Sequence, residues 1–254
     1  MNLLPIPLLA LLSLATATTP PIQNHTCPTH LYNVHIFSHD PLIIYIPSFI
    51  TESEALHLQS ISSGRFTNSQ IADSSGQQQL ASSRTSRSTS LESDKIVKCI
   101  EERALQFQGY DTKREQLEPL QAVQYSLGEA YKTHTDWFTS PSLASSAYGG
   151  NRKTSFFVYV AASDDIVGGG TRFPMLDAPK EEKWCEWVNC DAGWDEGVVF
   201  RPIARNAVFW RNMKGEGRGD QRTLHAGLPV QRGKKLGMNI WTREGAMESK
   251  YRSA

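Results

Sequence analysis

The chain has 254 residues, which is long enough for one large domain or two small ones with a buried core. Its 26 Lys and Arg residues balance its 26 Asp and Glu residues, so the formal net charge at pH 7 is zero. This balance argues against nucleic acid as a partner, because nucleic-acid-binding proteins carry an excess of basic residues. Hydrophobic residues make up 39% and charged residues 20% of the chain, which excludes the disordered and fibrous classes. We therefore expect a soluble globular protein built as one domain.

The N-terminal residues have the pattern of a secretory signal peptide. The stretch Leu3–Ala17 is apolar and ends in the small-residue run Ala15-Thr16-Ala17, which is typical of a cleavage site. No Lys or Arg precedes the apolar stretch, so an uncleaved anchor or a buried N-terminal segment stays open as an alternative. The apolar run is shorter than the roughly 18–20 residues that a spanning helix needs, and we expect no stable membrane span.

These features divide the chain into a signal peptide at residues 1–17, an N-terminal tail at residues 18–40 and one folded domain at residues 41–254. They also predict a location in the secretory pathway, either in the endoplasmic reticulum lumen or outside the cell. The sequence predicts no particular oligomeric state.

The chain has four cysteines, at positions 27, 99, 185 and 190. An even number behind a signal peptide favours disulfides over free thiols. Three pairings are possible, and we favour Cys185–Cys190 within one loop together with Cys27–Cys99. Zinc ligation is the less favoured alternative, because the sequence has no C-x-x-C spacing.

The N-terminal half contains the helical patterns. A β-branched run at Leu42–Ile46 predicts a strand, and Thr51 with Glu54 forms a capping box that predicts a short helix through Ile61. Residues 62–90 are rich in Ser, Gln and Gly and predict loops with one or two edge strands.

A second helix is predicted by a second capping box, formed by Thr89 and Glu92. Apolar residues recur beyond it at helical spacing, at Leu91, Ile96, Ile100, Ala104 and Phe107. We expect the apolar stripe of this helix to cover a sheet.

The second half has the pattern of short strands separated by loops that contain Gly, Pro and Asp. The predicted strands are Leu120–Leu127, Ser155–Ala161, Val198–Arg201, Asn206–Arg211 and Leu236–Thr242. Helices followed by many short strands predict an α+β, mainly β fold, either a β-sandwich or a jelly roll with helices packed on one side.

Three residues of the second half form a candidate metal site. If the segment from His134 to Asp136 is extended, the imidazole and the carboxylate point to the same face and can bind one ion. His225 is the candidate third ligand. Two His and one carboxylate form the facial triad of non-haem Fe(II) oxygenases, which leaves metal positions open for cosubstrate and O₂. The H-x-D spacing alone is also compatible with a surface turn.

Lys235 follows His225 by ten residues and lies at the start of a predicted strand. A cation there could lie deep in the fold and bind the far carboxylate of a dicarboxylic cosubstrate. Lys234 would point the opposite way along the strand, so only one of the two lysines can have this role. The alternative is a pair of solvated lysines at a strand end.

The ordered set of motifs from about residue 40 to residue 243 resembles the catalytic domain of prolyl 4-hydroxylases, within the Fe(II)/2-oxoglutarate dioxygenase superfamily. The matching motifs are Ser83-Arg84-Thr85-Ser86, Glu118-Pro119-Leu120-Gln121, Gln124-Tyr125-x-x-Gly128-x-x-Tyr131-x-x-His134-x-Asp136, Arg152-x-Thr154, Gly168-Gly169-Gly170-Thr171-x-Phe173-Pro174, Leu224-His225-Ala226-Gly227-x-Pro229-Val230, Gly233-x-Lys235 and Asn239-x-Trp241.

The resemblance implies a double-stranded β-helix, or jelly roll, with N-terminal helices packed against the major sheet. It implies Fe(II), 2-oxoglutarate, O₂ and L-ascorbate as cofactors, and residues 41–254 as the catalytic domain. The implied roles are iron ligation by His134, Asp136 and His225, cosubstrate binding by Lys235, Tyr125 and Thr154, and substrate binding by Tyr131, Arg152 and Trp241.

The resemblance further implies hydroxylation at the 4-position of prolyl residues in a peptide or protein of the secretory pathway, with conversion of 2-oxoglutarate to succinate and CO₂. Two alternatives stay open. One is a dioxygenase of the same superfamily that acts on another side chain or a small metabolite, and the other is a non-catalytic secreted binding module.

The sequence departs from the family pattern in two places. Gly170 stands where the family commonly has Glu, which removes a charge near the site. The segment Leu176–Gly197 looks like an insertion and carries two cysteines and three tryptophans, Trp184, Trp187 and Trp194. It predicts either a lid over the site or the cover of a sheet edge.

Overall fold

The computed structural model describes residues 27–72, 77–193 and 196–252. The predicted signal peptide and Trp194 lie outside these ranges. The α-helices of the described chain are α1 (Glu52–Ser62) and α2 (Lys95–Gln108). Its strands are β1 (His35–His39), β2 (Leu42–Ile46), β3 (Thr67–Asn68), β4 (Gln70–Ala72), β5 (Gln78–Leu80), β6 (Arg87–Ser90), β7 (Gln121–Tyr125), β8 (Tyr131–His134), β9 (Arg152–Ala162), β10 (Val167–Gly168), β11 (Thr171–Phe173), β12 (Val198–Phe200), β13 (Ala207–Arg211), β14 (His225–Gly227), β15 (Val230–Arg232) and β16 (Lys235–Arg243).

The strands form a large and a small antiparallel sheet. The large sheet has eight strands in the order β1-β2-β13-β9-β16-β7-β6-β3, and the small sheet has four in the order β12-β11-β14-β8. Two short antiparallel pairs, β10-β15 and β4-β5, lie outside these sheets. This is the predicted double-stranded β-helix, and both helices pack on the large sheet as expected.

Alternation along β9 separates two hydrophobic cores. Phe156, Val158 and Val160 point to one face and pack with residues of α1 and α2. Phe157 and Tyr159 point to the other face and pack in the core that includes residues of the small sheet. The central strand is therefore buried on both faces, and its second face is the one that turns toward the inside of the barrel.

The helix boundaries agree with one predicted cap and contradict the other. Helix α1 begins after Thr51, whose hydroxyl and backbone form the predicted reciprocal capping box with Glu54. Helix α2 instead begins after Asp94, whose carboxylate accepts hydrogen bonds from two backbone N–H groups. Thr89 belongs to β6, where it pairs with Ala122. The Thr89 prediction was wrong because the pairing of β6 with β7 extends the backbone there.

The disulfides are the pairs favoured from the sequence, Cys27–Cys99 and Cys185–Cys190. The first joins the segment before β1 to α2. The predicted N-terminal tail at residues 18–40 contains β1 at residues 35–39, which is the edge strand of the large sheet.

The insertion-like segment covers an edge of the large sheet. The ring of Trp184 lies 5.0 Å from that of Phe37 in β1, and the ring of Trp187 stacks 5.4 Å from that of Tyr45 in β2. These contacts favour the sheet-edge interpretation of the segment. In the part of the chain that the structure covers, no helix is long and apolar enough to cross a membrane.

Candidate metal centre and adjoining groove

The three predicted metal ligands come together at the small sheet. His134 ends β8 and His225 begins β14, and the two residues are direct partners in the antiparallel pair. Asp136 follows two residues after His134. Its Oδ1 lies 3.9 Å from Nε2 of His134, and its Oδ2 lies 3.9 Å from Nε2 of His225. One ligand atom from each residue lies within 4.8 Å of the others.

Hydrogen bonds on the far side of each imidazole set its tautomer. Nδ1 of His134 lies 2.8 Å from the carbonyl oxygen of Lys132, and Nδ1 of His225 lies 2.9 Å from that of Thr223. A carbonyl oxygen only accepts, so each Nδ1 carries the proton. The other ring nitrogen, Nε2, faces Asp136 and is the one that can present a lone pair to a cation.

The charge state of the cluster suits a divalent cation. Burial and the neighbouring His225 lower the pKa of His134 to about 3, so its ring is neutral at pH 7. Burial raises the pKa of Asp136, but His225 and Arg152 outweigh it and hold that pKa below its ordinary value. Two imidazole nitrogens and one carboxylate are the donor set that non-haem Fe(II) sites use.

A small cavity adjoins the cluster on the inside of the barrel. Its volume is about 30 Å³, and its lining includes Tyr125, Thr171 and Trp210 besides the three candidate ligands. This volume holds about two water molecules. A dicarboxylate such as 2-oxoglutarate therefore enters only if lining side chains move.

Lys235 lies beside this cavity and is almost completely buried. Its ammonium nitrogen donates a hydrogen bond to the carbonyl oxygen of Gly169 and lies 4.4 Å from the centroid of the Tyr125 ring. No carboxylate of the described ranges forms an ion pair with it. Burial lowers the pKa of Lys235 to about 7. A buried ammonium with unused donors fits the carboxylate of a bound anion.

Thr154 does not face the cavity, which corrects the prediction for this residue. Its hydroxyl donates a hydrogen bond of 2.6 Å to Oε1 of Gln108 at the end of α2. Alternation along β9 puts Thr154 on the same face as Phe156 and Val158, which is the face that packs against the helices. The neighbouring Ser155 faces the site instead, and its hydroxyl donates a 2.6 Å hydrogen bond to Oδ2 of Asp136.

A groove of about 440 Å³ opens on the other side of the metal cluster. Tyr131 and Trp241 line both the groove and the inner cavity, so they stand at the junction between the two. The indole N–H of Trp241 is buried and has no hydrogen-bond partner among the residues described. Such an unpaired buried donor is unusual and needs a partner from outside the chain.

Arg152 lies in the groove within a cluster of charges. Its guanidinium carbon is 3.6 Å from the ring centroid of Trp241, and its Nη1 is 4.0 Å from Oδ1 of Asp136. Two of its nitrogens donate to the carboxylate of Glu118, each at 2.8 Å. Arg243 forms a second ion pair with the same carboxylate.

Glu118 and Ser155 are two site residues that the sequence reasoning did not assign. Glu118 was part of a recognised motif, so its position could have been found from the resemblance. Burial raises the pKa of Glu118, but Arg152 and Arg243 together outweigh burial and hold it below its ordinary value. The carboxylate is thus an anion that orients two arginines of the groove.

Gly170 lies where no side chain fits. A Cβ atom at this position would be 2.7 Å from Cγ1 of Val199 and 2.8 Å from the backbone oxygen of Phe200. Both distances are far inside van der Waals contact. The family's Glu is therefore excluded here by β12, which is the strand that follows the insertion-like segment.

Comparisons with known proteins agree with this geometry. The profile of the 2OG-Fe(II) oxygenase superfamily matches residues 120–243. Prolyl 4-hydroxylase 5 of Arabidopsis thaliana is 30% identical over 213 residues, which cover 82% of this chain and 70% of the plant protein. Prolyl 4-hydroxylase subunit alpha-3 of Homo sapiens is 32% identical over 216 residues, which cover 82% of this chain. The chain spans only 35% of the length of that human subunit.

Solved structures share the fold. A viral collagen prolyl hydroxylase from Paramecium bursaria Chlorella virus-1, in a 2OG complex, gives a TM-score of 0.56 at 20% identity and covers 78% of this chain and 94% of its own. A prolyl hydroxylase from Trichoplax adhaerens, bound to a peptide fragment of the hypoxia inducible factor oxygen degradation domain, gives 0.52 at 16% identity and covers 80% and 84%. At these identities the likeness concerns the fold alone.

Proposed function

Because the chain belongs to the prolyl 4-hydroxylase-like branch of the 2OG-Fe(II) oxygenase superfamily, we propose that it is a dioxygenase that hydroxylates prolyl residues of a peptide or protein at the 4-position. Its cofactors are Fe(II), 2-oxoglutarate and O₂, with L-ascorbate as the reductant that keeps the iron in the Fe(II) state. The observation that carries this proposal is the position of the His-Asp-His cluster between a small inner cavity and a much larger groove.

In this proposal the two sides of the cluster bind different molecules. His134, Asp136 and His225 bind the iron through Nε2, a carboxylate oxygen and Nε2. Lys235 binds the far carboxylate of 2-oxoglutarate, and Tyr125 forms the wall against which this anion lies. The buried ammonium with its one backbone acceptor supports the assignment for Lys235.

The groove accommodates the peptide substrate. Tyr131 and Trp241 contact the target residue, because they line the groove next to the cluster. The unpaired indole N–H of Trp241 donates to a substrate carbonyl, and Arg152 contacts the peptide from its position over the Trp241 ring. An open groove of this size favours a peptide over a small metabolite as the substrate.

Fe(II), when bound, supplies the activation of O₂ that is coupled to oxidative decarboxylation of 2-oxoglutarate to succinate and CO₂. The protein's residues orient the two substrates and keep water out of the inner cavity. Burial of the cluster serves this second purpose, since Asp136 and His225 are only 5% and 6% exposed.

We place the protein in the secretory pathway. Two disulfides among the described residues support an oxidising compartment, because such bonds are rare in reducing ones. The predicted signal peptide at residues 1–17 points to the same location.

The test is turnover by anaerobically loaded Fe(II) protein with 2-oxoglutarate, O₂ and ascorbate, with and without a proline-rich peptide. We expect peptide-stimulated release of succinate and a mass gain of one oxygen atom on a prolyl residue. Succinate release without a modified proline would refute the substrate and retain the dioxygenase. No succinate release from folded, iron-loaded protein would refute the enzyme and favour a binding module.

A further inference from the structure

A chain of three buried hydrogen bonds leads from Trp210 to the carboxylate of Asp136. The indole N–H of Trp210 donates to Oδ1 of Asn212 at 2.8 Å. The Nδ2 of Asn212 donates to Oγ of Ser155 at 2.8 Å, and Ser155 donates to Oδ2 of Asp136 at 2.6 Å. Ser155 and Asn212 are completely buried, and Trp210 is 1% exposed, so water does not compete for these bonds.

The indole N–H of Trp210, the first donor of this series, fixes which group donates and which accepts in each of the three hydrogen bonds. An indole N–H can only donate, so Asn212 must present its carbonyl oxygen to Trp210 and its amide N–H to Ser155. Ser155 thereby accepts a hydrogen bond, and its single hydroxyl proton points to Asp136. An ionised carboxylate only accepts hydrogen bonds, so in the last bond Ser155 is the donor and Asp136 is the acceptor.

These three hydrogen bonds connect Asp136, a loop residue, to central strands of the large sheet. Asp136 lies in the loop after β8, where its own backbone does not belong to a strand. Ser155 lies in β9 and is the direct partner of Trp210 in β13. The carboxylate is thus oriented by side chains whose backbone positions are fixed by sheet pairing.

The hydrogen bond from Ser155 makes the two carboxylate oxygens of Asp136 unequal. Oδ2 is occupied by the serine hydroxyl. Oδ1 accepts no hydrogen bond from the residues of the described ranges; it lies 3.9 Å from Nε2 of His134 and 4.0 Å from Nη1 of Arg152. One oxygen is therefore held by a hydrogen bond, while the other has only charged or metal-binding groups near it.

We infer that Ser155 is a positioning residue, oriented by Asn212 and Trp210, that holds the Asp136 carboxylate so that it binds the metal through Oδ1 alone. This inference rests on the proposed function, since it concerns the same metal site. Partners of this kind around metal ligands contribute about 10-fold to 100-fold to metal affinity.

The test is anaerobic calorimetric titration of the purified protein with Fe(II), without 2-oxoglutarate or peptide. We expect Ser155→Ala to weaken Fe(II) binding by about tenfold while the far-ultraviolet circular dichroism stays unchanged. The visible absorption spectrum of the Co(II)-loaded variant should also differ from that of the wild type, because a released carboxylate can bind through both oxygens. A purely structural role of Ser155 would leave this spectrum unchanged.

Ser62→Ala is the matched control. Ser62 is also completely buried, and its hydroxyl also donates a 2.6 Å hydrogen bond, in this case to the carbonyl oxygen of Leu58 in α1. The control should lower thermal stability to a similar degree as Ser155→Ala. It should leave the Fe(II) affinity and the Co(II) spectrum as in the wild type.

The outcomes separate this inference from the proposed function. If the wild type binds no Fe(II), the proposed function fails. If the wild type binds Fe(II) and folded Ser155→Ala binds it within about twofold of the wild type, well below the expected range, the inference is overturned. If Ser155→Ala does not fold, Asn212→Leu decides, because it removes the group that orients Ser155. Weaker Fe(II) binding by Asn212→Leu supports the inference, and unchanged binding overturns it.

Discussion

Lys235 and Tyr125 are direct partners on the paired strands β16 and β7, and the lysine ammonium lies 4.4 Å from the centroid of the tyrosine ring. The tyrosine lines the inner cavity, whereas the lysine lies beside it. Access of an anion to the ammonium is therefore coupled to the position of the Tyr125 ring. Register pairing fixes this relationship, because neither residue can shift along its strand without moving the other.

Lys235→Met should weaken 2-oxoglutarate binding on the order of 30-fold, which corresponds to about 2 kcal/mol. The loss is of the size expected when one partner of a buried charge pair is removed. The Fe(II) affinity should stay within about threefold of the wild type, since Lys235 contacts none of the three candidate ligands. Calorimetric titrations with each ligand check both values. Lys234→Met is the matched control, because the adjacent Lys234 is exposed. A larger loss of iron than of 2-oxoglutarate affinity would show that the cosubstrate pocket is misplaced.

The affinity for 2-oxoglutarate should fall as the pH rises above about 7. Burial lowers the pKa of Lys235 to about 7, so the free protein loses this proton above that pH and must regain it to bind the dianion. Burial raises the pKa of Tyr125 to about 12, so this hydroxyl stays neutral over the range. Dissociation constants for 2-oxoglutarate, measured between about pH 6 and pH 9, check the slope.

Lys235→Arg provides the control for this pH dependence. A guanidinium keeps its proton throughout the range, so the variant should bind 2-oxoglutarate with an affinity that does not change with pH. If the wild type and this variant show the same slope, another group is responsible.

Asp136→Ala should abolish turnover and measurable Fe(II) binding and leave the fold intact, because Asp136 lies in a loop and its removal takes away the only anionic ligand of the cluster. Calorimetry and circular dichroism test the two parts. Asp165→Ala, which removes an exposed carboxylate, serves as the control. Normal turnover by Asp136→Ala would contradict the assignment of all three ligands.

Glu118→Gln should lower the free energy of unfolding by about 3 kcal/mol and raise the KM for peptide, because Arg152 and the buried Arg243 lose the anion that they share. Denaturant unfolding and peptide kinetics measure the two effects. Glu54→Gln is the matched control, since Glu54 forms a bidentate buried ion pair with Arg103 far from the groove. It should destabilise the fold without a change in KM. The same peptide KM for both variants would show that Glu118 has no role in peptide binding.

Thr154→Val should cost about 1 kcal/mol of stability, through loss of the hydrogen bond to Gln108, and leave the affinity for 2-oxoglutarate unchanged. Thermal unfolding and calorimetry provide the two readouts. A marked loss of 2-oxoglutarate affinity in a folded variant would show that Thr154 does take part in cosubstrate binding.

Much of the candidate site could be predicted because its residues lie in recognisable motifs. Spacing alone left a surface turn open for His134 and Asp136, whereas the ordered set of family motifs predicted the cluster that the structure brings together. The resemblance, in contrast, misplaced Thr154, which alternation along β9 puts on the helix-facing side with Phe156 and Val158. The same alternation puts Ser155 on the inner face, but its partners come together only when β9, β13 and the loop after β8 meet.

The fold shows the same difference between local and long-range signals. The limits of β2 and the cap of α1 agree with the sequence pattern, since each depends on neighbouring residues. One or two edge strands were predicted within residues 62–90, where the structure describes four, β3 to β6. The pairing of β6 with β7 overrode the apparent capping box at Thr89. The strand β1 was likewise concealed in the presumed tail, because an edge strand needs few apolar residues.

Because β12 lies so close to Gly170, a single substitution cannot place a glutamate at this position. The oxygen that a new Cβ would meet belongs to the backbone of Phe200, so no exchange of a neighbouring side chain creates the space. A glutamate could return only together with a shift of β12 and hence of the disulfide-closed segment before it. The effect of a glutamate at position 170 therefore depends on residues 176–200. Engineering that aims to introduce this charge must change that segment together with position 170.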